Sequence, residues 1–124
     1  MKKILIADDD RDLVVLLTSR LRANGYEVIT ASSGVWVVTE AVKQKPDLVI
    51  LDIKMPSGSG VSVFEQLKKY IKTLFIPVIF ITAYPSDYIR EKVMEMGAED
   101  FITKPFDPDE LVFKVKKALG DLEE

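Results

Sequence analysis

The chain opens, after Met1 and Lys2, with the stretch Lys3-Ile4-Leu5-Ile6-Ala7-Asp8-Asp9-Asp10. Four consecutive apolar residues are typical of a short strand that is buried on both faces of a sheet. The run is too short for a signal peptide or a membrane span. Three carboxylates follow it directly, although a single aspartate is enough to begin the next helix. This stretch therefore predicts a parallel sheet with acidic groups concentrated at its edge.

Short apolar runs alternate with longer segments of helical period along the rest of the chain, which is typical of βα units. We predict strands at residues 3–7, 26–30, 47–51, 77–82 and 100–103. We predict helices at residues 10–24, 34–44, 60–72, 86–96 and 107–119. Right-handed crossovers then give an α/β fold with a five-stranded parallel sheet in the order 2-1-3-4-5, doubly wound with five helices in the flavodoxin-like manner.

Composition excludes several classes of chemistry. The chain has 124 residues, enough for one domain with its own core, and it contains no histidine and no cysteine. It therefore lacks the side chains for imidazole acid–base catalysis, thiolate catalysis, disulfides and ordinary zinc sites. The net charge of −3 gives no support to nucleic-acid binding. We expect a cytoplasmic protein with no direct nucleic-acid partner and no membrane partner.

Acidic residues follow two strands that lie side by side in the predicted order. Asp8, Asp9 and Asp10 follow the first strand, and Asp52 follows the third. Carboxylates brought together at one edge repel each other, and a hard cation such as Mg²⁺ relieves that repulsion. The alternative is that Asp8, Asp9 and Asp10 only favour the start of the first helix, where negative charge is stabilising. The spacing favours a cation or phosphoryl site over this alternative.

A hydroxyl and an ammonium group follow the last two strands. Thr82 ends the fourth strand and Lys104 follows the fifth, so both face the same crevice as the acids. Such groups suit a phosphoryl group attached above an acidic pocket. Each alone also has an ordinary explanation, because threonine is common in strands and lysine is common on surfaces.

Four motifs, in order and in register, resemble the receiver domain of two-component response regulators. They are residues 4–10 (ILIADDD), 48–56 (LVILDIKMP), 81–83 (ITA) and 104–106 (KPF). The resemblance covers essentially the whole chain. It implies a receiver domain at residues 1–120 and a short tail at residues 121–124.

The resemblance assigns a role to each candidate site residue. Asp52 is the phosphoacceptor, and Mg²⁺ is held by Asp8 through a water, by Asp9, by Asp52 and by the backbone carbonyl of Lys54. Lys104 pairs with the phosphoryl oxygens after a cis bond to Pro105, and Thr82 hydrogen-bonds those oxygens. The side chains of Lys54 and Tyr84 tune the lifetime of the acyl phosphate. The resemblance thus implies a phosphoacceptor with its own phosphorylation and dephosphorylation chemistry rather than an enzyme.

Partners are also implied by the resemblance. The donor is a sensor histidine kinase, a phosphotransfer protein or a small phosphodonor, and the output goes to an unknown protein target or onward in a phosphorelay. Thr82 and Phe101 form the switch, with the Phe101 ring turning inward. Val15 and Leu16 lie off the buried stripe of their helix and are candidates for a kinase-docking surface. Phe113 is a candidate contact either for dimerisation or for binding a target, and the protein is expected to be a monomer or a phosphorylation-dependent dimer. No role is predicted for Trp36.

Two other interpretations stay open from sequence. In a phosphatase of the haloacid dehalogenase type, Asp8 would be the nucleophile and Asp10 the acid–base group. Against this, Asp12 stands where that family prefers threonine or valine, and no late acidic pair follows Lys104. The other interpretation is a receiver-like module that binds partners without phosphorylation, although every motif residue is present.

Overall fold

The computed structural model, which describes residues 1–55 and 58–122, alternates five strands with five helices along the chain. The strands are β1 (Lys3–Ala7), β2 (Glu27–Ala31), β3 (Leu48–Asp52), β4 (Val78–Thr82) and β5 (Asp100–Thr103). The helices are α1 (Arg11–Ala23), α2 (Gly34–Gln44), α3 (Gly60–Lys69), α4 (Asp87–Glu95) and α5 (Pro108–Leu119). Every predicted element is therefore present. No helix in the described ranges is long and apolar enough to cross a membrane.

All strand pairs are parallel, and the sheet order is β2-β1-β3-β4-β5. The predicted order and fold class are confirmed. The strand β1 lies between β2 and β3, with Ala7 opposite both Ala31 and Leu51. The carboxyl ends of β1 and β3 are therefore adjacent, and the residues after Ala7 lie beside Asp52.

Helices cover both faces of the sheet. Alternate side chains of β1 point to opposite sides, so Ile4 and Ile6 pack against α1 and α5, whereas Leu5 and Ala7 pack in the core formed with α2, α3 and α4. All five residues of β3 and of β4 are buried. Burial on both faces explains why these strands read as continuous apolar runs rather than alternating ones.

Local signals set most of the element boundaries. Gly25 and Gly97 have φ angles of 89° and 99°, as predicted for residues that end helices. The Asp107 side chain accepts the N–H of Asp109 at the start of α5. The largest deviation is in α3, which ends at Lys69 and not at residue 72, because Tyr70 adopts an extended conformation before a series of turns.

Candidate functional site

Three carboxylates converge where β1 and β3 end. Ligand oxygens of Asp8, Asp9 and Asp52 all lie within 4.8 Å of one another. Asp8 and Asp52 are only 3% and 4% exposed, whereas Asp9 is exposed. The parallel register produces this arrangement, because adjacent strands end at the same level of the sheet.

Asp10 has a different role from its two neighbours. Its side chain accepts the N–H of Leu13 at 3.2 Å and caps α1, and its own N–H donates to Oδ1 of Asp8 at 2.9 Å. The two explanations for the aspartate run therefore apply to different residues. Asp10 begins the helix, while Asp8 and Asp9 belong to the acidic cluster.

Lys104 reaches into the acidic cluster from the loop after β5. Its Nζ lies 2.8 Å from Oδ2 of Asp8 and 3.4 Å from Oδ2 of Asp52. The backbone N–H of Lys104 donates to the carbonyl of Thr82 at 2.7 Å, and the Lys104–Pro105 bond is cis, as predicted. Burial disfavours the charged ammonium, but its contacts with the two carboxylates outweigh burial and raise the pKa of Lys104.

The carboxyl group of Asp52 is harder to ionise than an ordinary aspartate. Burial and the negative charge of Asp8 raise the pKa of Asp52 to about 6. The backbone N–H of Lys54, which donates to Oδ1 of Asp52 at 3.2 Å, and the charge of Lys104 oppose this rise. One lysine thus compensates only part of the repulsion between two buried carboxylates.

The cluster fits a hard cation. The Oδ2 atom of Asp8 is buried and has no hydrogen-bond partner among the described residues, although it pairs in charge with Lys104. Three carboxylates this close together repel one another, and the single ammonium of Lys104 neutralises only part of their charge. Oxygen ligands from three carboxylates are the type that Mg²⁺ and Ca²⁺ prefer. The donor set therefore matches a metal site, as the sequence predicted.

An open cavity of about 450 Å³ leads to the cluster. At its mouth the ammonium of Lys54 lies 4.7 Å from the centroid of the Tyr84 ring. The lining side chains come from the end of β3 and from the loops after β1, β3, β4 and β5: Asp9, Asp52, Lys54, Met55, Ala83, Tyr84 and Lys104. The cavity is large enough for a phosphoryl group. Met55 was not among the predicted site residues, and Pro56, the last residue of its motif, lies outside the described residues.

The two switch candidates are both buried. Thr82 is 1% exposed, and its Oγ1 accepts the N–H of Tyr84 at 3.0 Å. Phe101 is 5% exposed, and the guanidinium of Arg90 lies 5.8 Å from its ring centroid. No local sequence signal pointed to Arg90, because the contact joins α4 to β5. The Phe101 ring is already buried in this structure, and its inward turn on phosphorylation stays a prediction.

The predicted partner residues lie on three different surfaces. Leu16 lines a groove of about 540 Å³ beside Lys104, together with Leu13, Tyr84, Pro105, Phe106 and Pro108. Val15 lines a separate cavity with Arg11, Thr30 and Ser32. Phe113 is exposed on α5. Neighbouring residues on a helix point about 100° apart, so Val15 and Leu16 do not share one surface. Sequence analysis did not identify the loop residues Pro105 and Phe106 as part of the groove.

Comparison with known proteins gives a family for this architecture. Residues 4–116 match the model of the response regulator receiver domain. The chain is 40% identical over 118 residues to the alkaline phosphatase synthesis transcriptional regulatory protein PhoP of Bacillus subtilis, covering 95% of this chain and 48% of that protein. It is 37% identical over 118 residues to the phosphate regulon transcriptional regulatory protein PhoB of Pseudomonas aeruginosa, covering 95% and 52%. The chain thus spans about half the length of these relatives.

Solved structures agree with this assignment. A putative response regulator from Chloroflexus aurantiacus superposes with a TM-score of 0.89 at 34% identity, covering 96% of this chain and 98% of that one. A CheY-like receiver domain protein from Methanospirillum hungatei gives 0.90 at 29% identity, covering 98% and 95%. The family match favours a receiver over the phosphatase alternative. The chain belongs to the response regulator receiver domain family, a phosphoacceptor signalling module with an acidic pocket formed here by Asp8, Asp9 and Asp52.

Proposed function

We propose that this receiver takes a phosphoryl group on Asp52 from a phosphohistidine of a sensor histidine kinase or phosphotransfer protein, or from a small phosphodonor. The observation that carries the proposal is the position of Asp52, which is buried at the base of an open cavity and faces the ammonium of Lys104 at 3.4 Å. The chain contains no histidine, so the donor histidine belongs to the partner.

The transfer is a displacement at phosphorus. A carboxylate oxygen of Asp52 forms the new O–P bond, the P–N bond to the donor imidazole breaks, and the leaving nitrogen keeps the electron pair and takes up a proton. Lys104 neutralises charge on the transferring oxygens, and the backbone N–H of Lys54 holds the other carboxylate oxygen in place. These residues accelerate transfer by position and charge.

Magnesium is the cation that we assign to the acidic cluster. Asp8, Asp9, Asp52 and the backbone carbonyl of Lys54 would hold it, with Asp8 acting through a water. Bound Mg²⁺ supplies charge neutralisation for the carboxylates and for the incoming phosphoryl oxygens. The proximity of the three carboxylates, whose charge one lysine offsets only in part, supports this assignment.

Thr82 responds to phosphorylation by donating a hydrogen bond to a phosphoryl oxygen. Its hydroxyl lies at the end of β4, one strand away from Asp52, and accepts the N–H of Tyr84. When the hydroxyl turns to donate to a phosphoryl oxygen, the loop that contains Tyr84 must readjust. Phe101, in the next strand, then passes the change to the surface that binds a protein target or a further member of a phosphorelay.

The donor protein docks in the groove beside Lys104. Leu13, Leu16 and Phe106 give this groove an apolar lining, and Lys104 is shared between the groove and the site. A partner helix seated there would present a phosphohistidine to Asp52. In this proposal the receiver domain comprises residues 1–120, followed by the short tail 121–124, of which Glu123 and Glu124 lie outside the described residues.

Acetyl phosphate tests the phosphoacceptor directly. Incubation with acetyl phosphate and Mg²⁺, followed by peptide mass mapping, should place one phosphoryl group on Asp52, and chelation of the metal should abolish labelling. The matched variants Asp52→Asn and Asp12→Asn should differ, the first losing the label and the second keeping it. Label on Asp8, or full incorporation in Asp52→Asn, would overturn the proposal in favour of phosphatase-type chemistry.

A further inference from the structure

The loop between α3 and β4 holds three large apolar side chains in solvent. Ile71 and Phe75 are each 85% exposed, and Tyr70 is 52% exposed. Exposed apolar residues are ordinary when they stand singly, but these three lie within one short loop at residues 70–75. We call Tyr70, Ile71 and Phe75 the apolar tip.

The apolar tip is part of an ordered loop. The Thr73 side chain is buried, and its hydroxyl donates to the carbonyl of Leu67 at 2.6 Å. The backbone N–H groups of Thr73 and Leu74 both donate to the carbonyl of Tyr70, at 3.1 and 2.8 Å. These bonds turn Thr73 inward and fix Ile71 and Phe75 outward, so their exposure is a property of the fold.

Lysines flank the apolar tip, and acids are absent from its sequence neighbourhood. Residues 66–86 contain Lys68, Lys69 and Lys72 and no aspartate or glutamate. The side chains of Lys69 and Lys72 are exposed. In a chain whose net charge is −3, this segment is therefore a local basic region.

The whole end of the molecule that carries the apolar tip is rich in basic groups. In a doubly wound parallel fold the helices end where the strands begin, at the opposite end from Asp52. Each helix has a basic residue in its last turn, for example Arg22, Lys43, Lys69, Lys92 and Lys117.

Acidic residues at the same end are partly engaged within the chain. Asp47 accepts the backbone N–H of Lys3, and Asp121 pairs with Lys2 at 2.7 Å. Glu27, Glu95 and Glu99 are exposed there and reduce the positive field, but no acidic residue lies within residues 66–86 around the apolar tip. Basic groups thus cover a broad end of the molecule, and three apolar side chains project from it.

We propose that the apolar tip inserts into the headgroup region of a bilayer that contains anionic lipid, with Lys69 and Lys72 against the lipid phosphates. Aromatic and aliphatic side chains flanked by lysine are the combination that favours a membrane interface. The molecule would lie on the membrane, with Asp52 at the far end and open to its donor.

A second copy of the chain and a protein partner fit these observations less well. A two-fold interface through the apolar tip would bring the same lysines of both copies together. Three side chains on a projecting loop also supply only on the order of 400 Å², about half of what one side of a stable protein interface buries. A bilayer can surround a small projection, and its negative charge matches the broad basic end.

The surface formed by the apolar tip and the basic end of the molecule could not be predicted from the sequence. Whole-chain charge and the short apolar runs predicted no membrane partner, because neither property records which residues collect at one end of the molecule. The proposal concerns contact with a membrane surface and involves no membrane span.

Vesicle flotation of the full chain tests the proposal. The chain should float with vesicles of phosphatidylcholine and phosphatidylglycerol, and much less with vesicles of phosphatidylcholine alone or at high salt. The double variant Ile71→Ser/Phe75→Ser should reduce the partition coefficient by more than about tenfold. Lys69→Ser/Lys72→Ser should reduce it by about 30-fold. The control Val35→Ser/Tyr88→Ser, which removes exposed apolar groups elsewhere, should bind as the unmodified chain does.

Circular dichroism and the thermal midpoint of each variant separate loss of binding from loss of folding. Absence of flotation on the anionic vesicles overturns the proposal, as does equal flotation of the Ile71→Ser/Phe75→Ser variant. Two further results would also overturn it. One is self-association of the chain that disappears in that variant without any vesicle binding, and the other is binding to duplex DNA as tight as binding to the vesicles.

Discussion

The ammonium of Lys54 lies 4.7 Å from the centroid of the Tyr84 ring, and both side chains line the cavity above Asp52. The two side chains come from different loops, one after β3 and one after β4. In the proposed phosphorylated form, these two side chains would limit the access of water to the acyl phosphate on Asp52. The contact therefore joins the two positions to which the sequence resemblance gave control of phosphoryl lifetime.

Breaking this contact should shorten the lifetime of the phosphorylated protein. An exposed cation–π contact contributes about 0.5 to 1 kcal/mol, which corresponds to a two- to fivefold faster hydrolysis once the contact that restricts water entry is lost. We expect that increase for Lys54→Ala and for Tyr84→Ala. The measurement is the decay of Asp52 label after removal of the phosphodonor.

A double-mutant cycle provides the control. The double variant should decay no faster than either single variant, because one contact is lost in all three. Tyr88→Ala, an exposed tyrosine outside the cavity, should leave the decay rate unchanged. Rate increases that multiply in the double variant would mean that the two side chains act independently.

The raised pKa of Asp52 predicts that the site destabilises the protein at neutral pH when no metal is added. A carboxyl pKa of about 6 in the folded state, against 3.8 for the ordinary group, means that the folded state binds this proton more tightly than the unfolded state does. Asp52 therefore makes no unfavourable contribution to the free energy of unfolding below about pH 4; the unfavourable contribution grows between pH 4 and 6 and is complete above that range. This difference between the folded and unfolded pKa of Asp52 corresponds to about 3 kcal/mol.

Asp52→Asn should therefore raise the free energy of unfolding by up to about 3 kcal/mol at pH 7.5 and have little effect at pH 3.5. Urea unfolding in the presence of a chelator measures both values. Glu65→Gln, which changes an exposed carboxylate on α3, should alter stability by less than about 0.5 kcal/mol at either pH. If Asp52→Asn raised the free energy of unfolding equally at both pH values, the gain could not come from the ionisation of Asp52.

Gly60 should be required for the position of Asp52. It begins α3, donates its N–H to the carbonyl of Ile53 at 2.7 Å, and a methyl group added there would collide with the backbone carbonyl of Asp52. We expect Gly60→Ala to cost about 1 to 3 kcal/mol of stability and to slow labelling by acetyl phosphate. The exposed residue Ser62 on the same helix provides the control, and Ser62→Ala should do neither. Normal labelling and stability in Gly60→Ala would show that the backbone accommodates the methyl group.

Most of the architecture was predictable because the decisive signals are local. Continuous apolar runs gave the strands, and glycines and aspartates at helix ends gave most of the boundaries. Parallel order then placed Asp8, Asp9 and Asp52 together. Loop conformation was less predictable, since the end of α3 depends on the hydrogen bonds of Thr73 with Leu67 and Tyr70.

The other features that could not be predicted from the sequence depend on contacts between elements that are distant along the chain. The ring contact between Arg90 and Phe101, and the groove that Leu16 forms with Pro105 and Phe106, depend on how the helices sit against the sheet. No spacing rule along the chain encodes these relationships. The raised pKa of Asp52 belongs to the same class, because it needs the burial as well as the neighbouring charge.

Asp121 connects the end of the described chain to the sheet. Its carboxylate accepts the Tyr26 hydroxyl at 2.8 Å and pairs with Lys2 at 2.7 Å. Tyr26→Phe should cost about 1 kcal/mol at pH 8, the usual contribution of one hydrogen bond, as measured by urea unfolding. The exposed Tyr88→Phe should cost nothing, and an equal loss in both variants would contradict a specific role for the Tyr26 hydroxyl.

Burial, assisted by the Asp121 hydrogen bond, raises the pKa of Tyr26 to about 12, against 10 for the ordinary phenol. The folded state holds this proton more tightly, so the stability from Tyr26 is complete below pH 10 and is lost as pH rises toward 12. Tyr26→Phe removes this dependence. Above pH 10, the free energy of unfolding of Tyr26→Phe should therefore decrease less steeply with pH than that of the unmodified chain. The same pH dependence in both proteins would exclude Tyr26 as the titrating group.

Phe113 should control self-association of the phosphorylated form. The ring is 55% exposed on α5, next to Lys114, which pairs with Asp100 at 3.0 Å and ties this surface to β5. A buried aromatic at the centre of an interface commonly contributes 2 kcal/mol or more, so its loss weakens a dimer by about 30-fold. Sedimentation with Mg²⁺ and a beryllofluoride phosphoryl mimic should show a dimer for the unmodified chain and for Val35→Ala, but a monomer for Phe113→Ala. Equal monomer masses in all three would remove the dimer hypothesis and leave Phe113 available for another protein target.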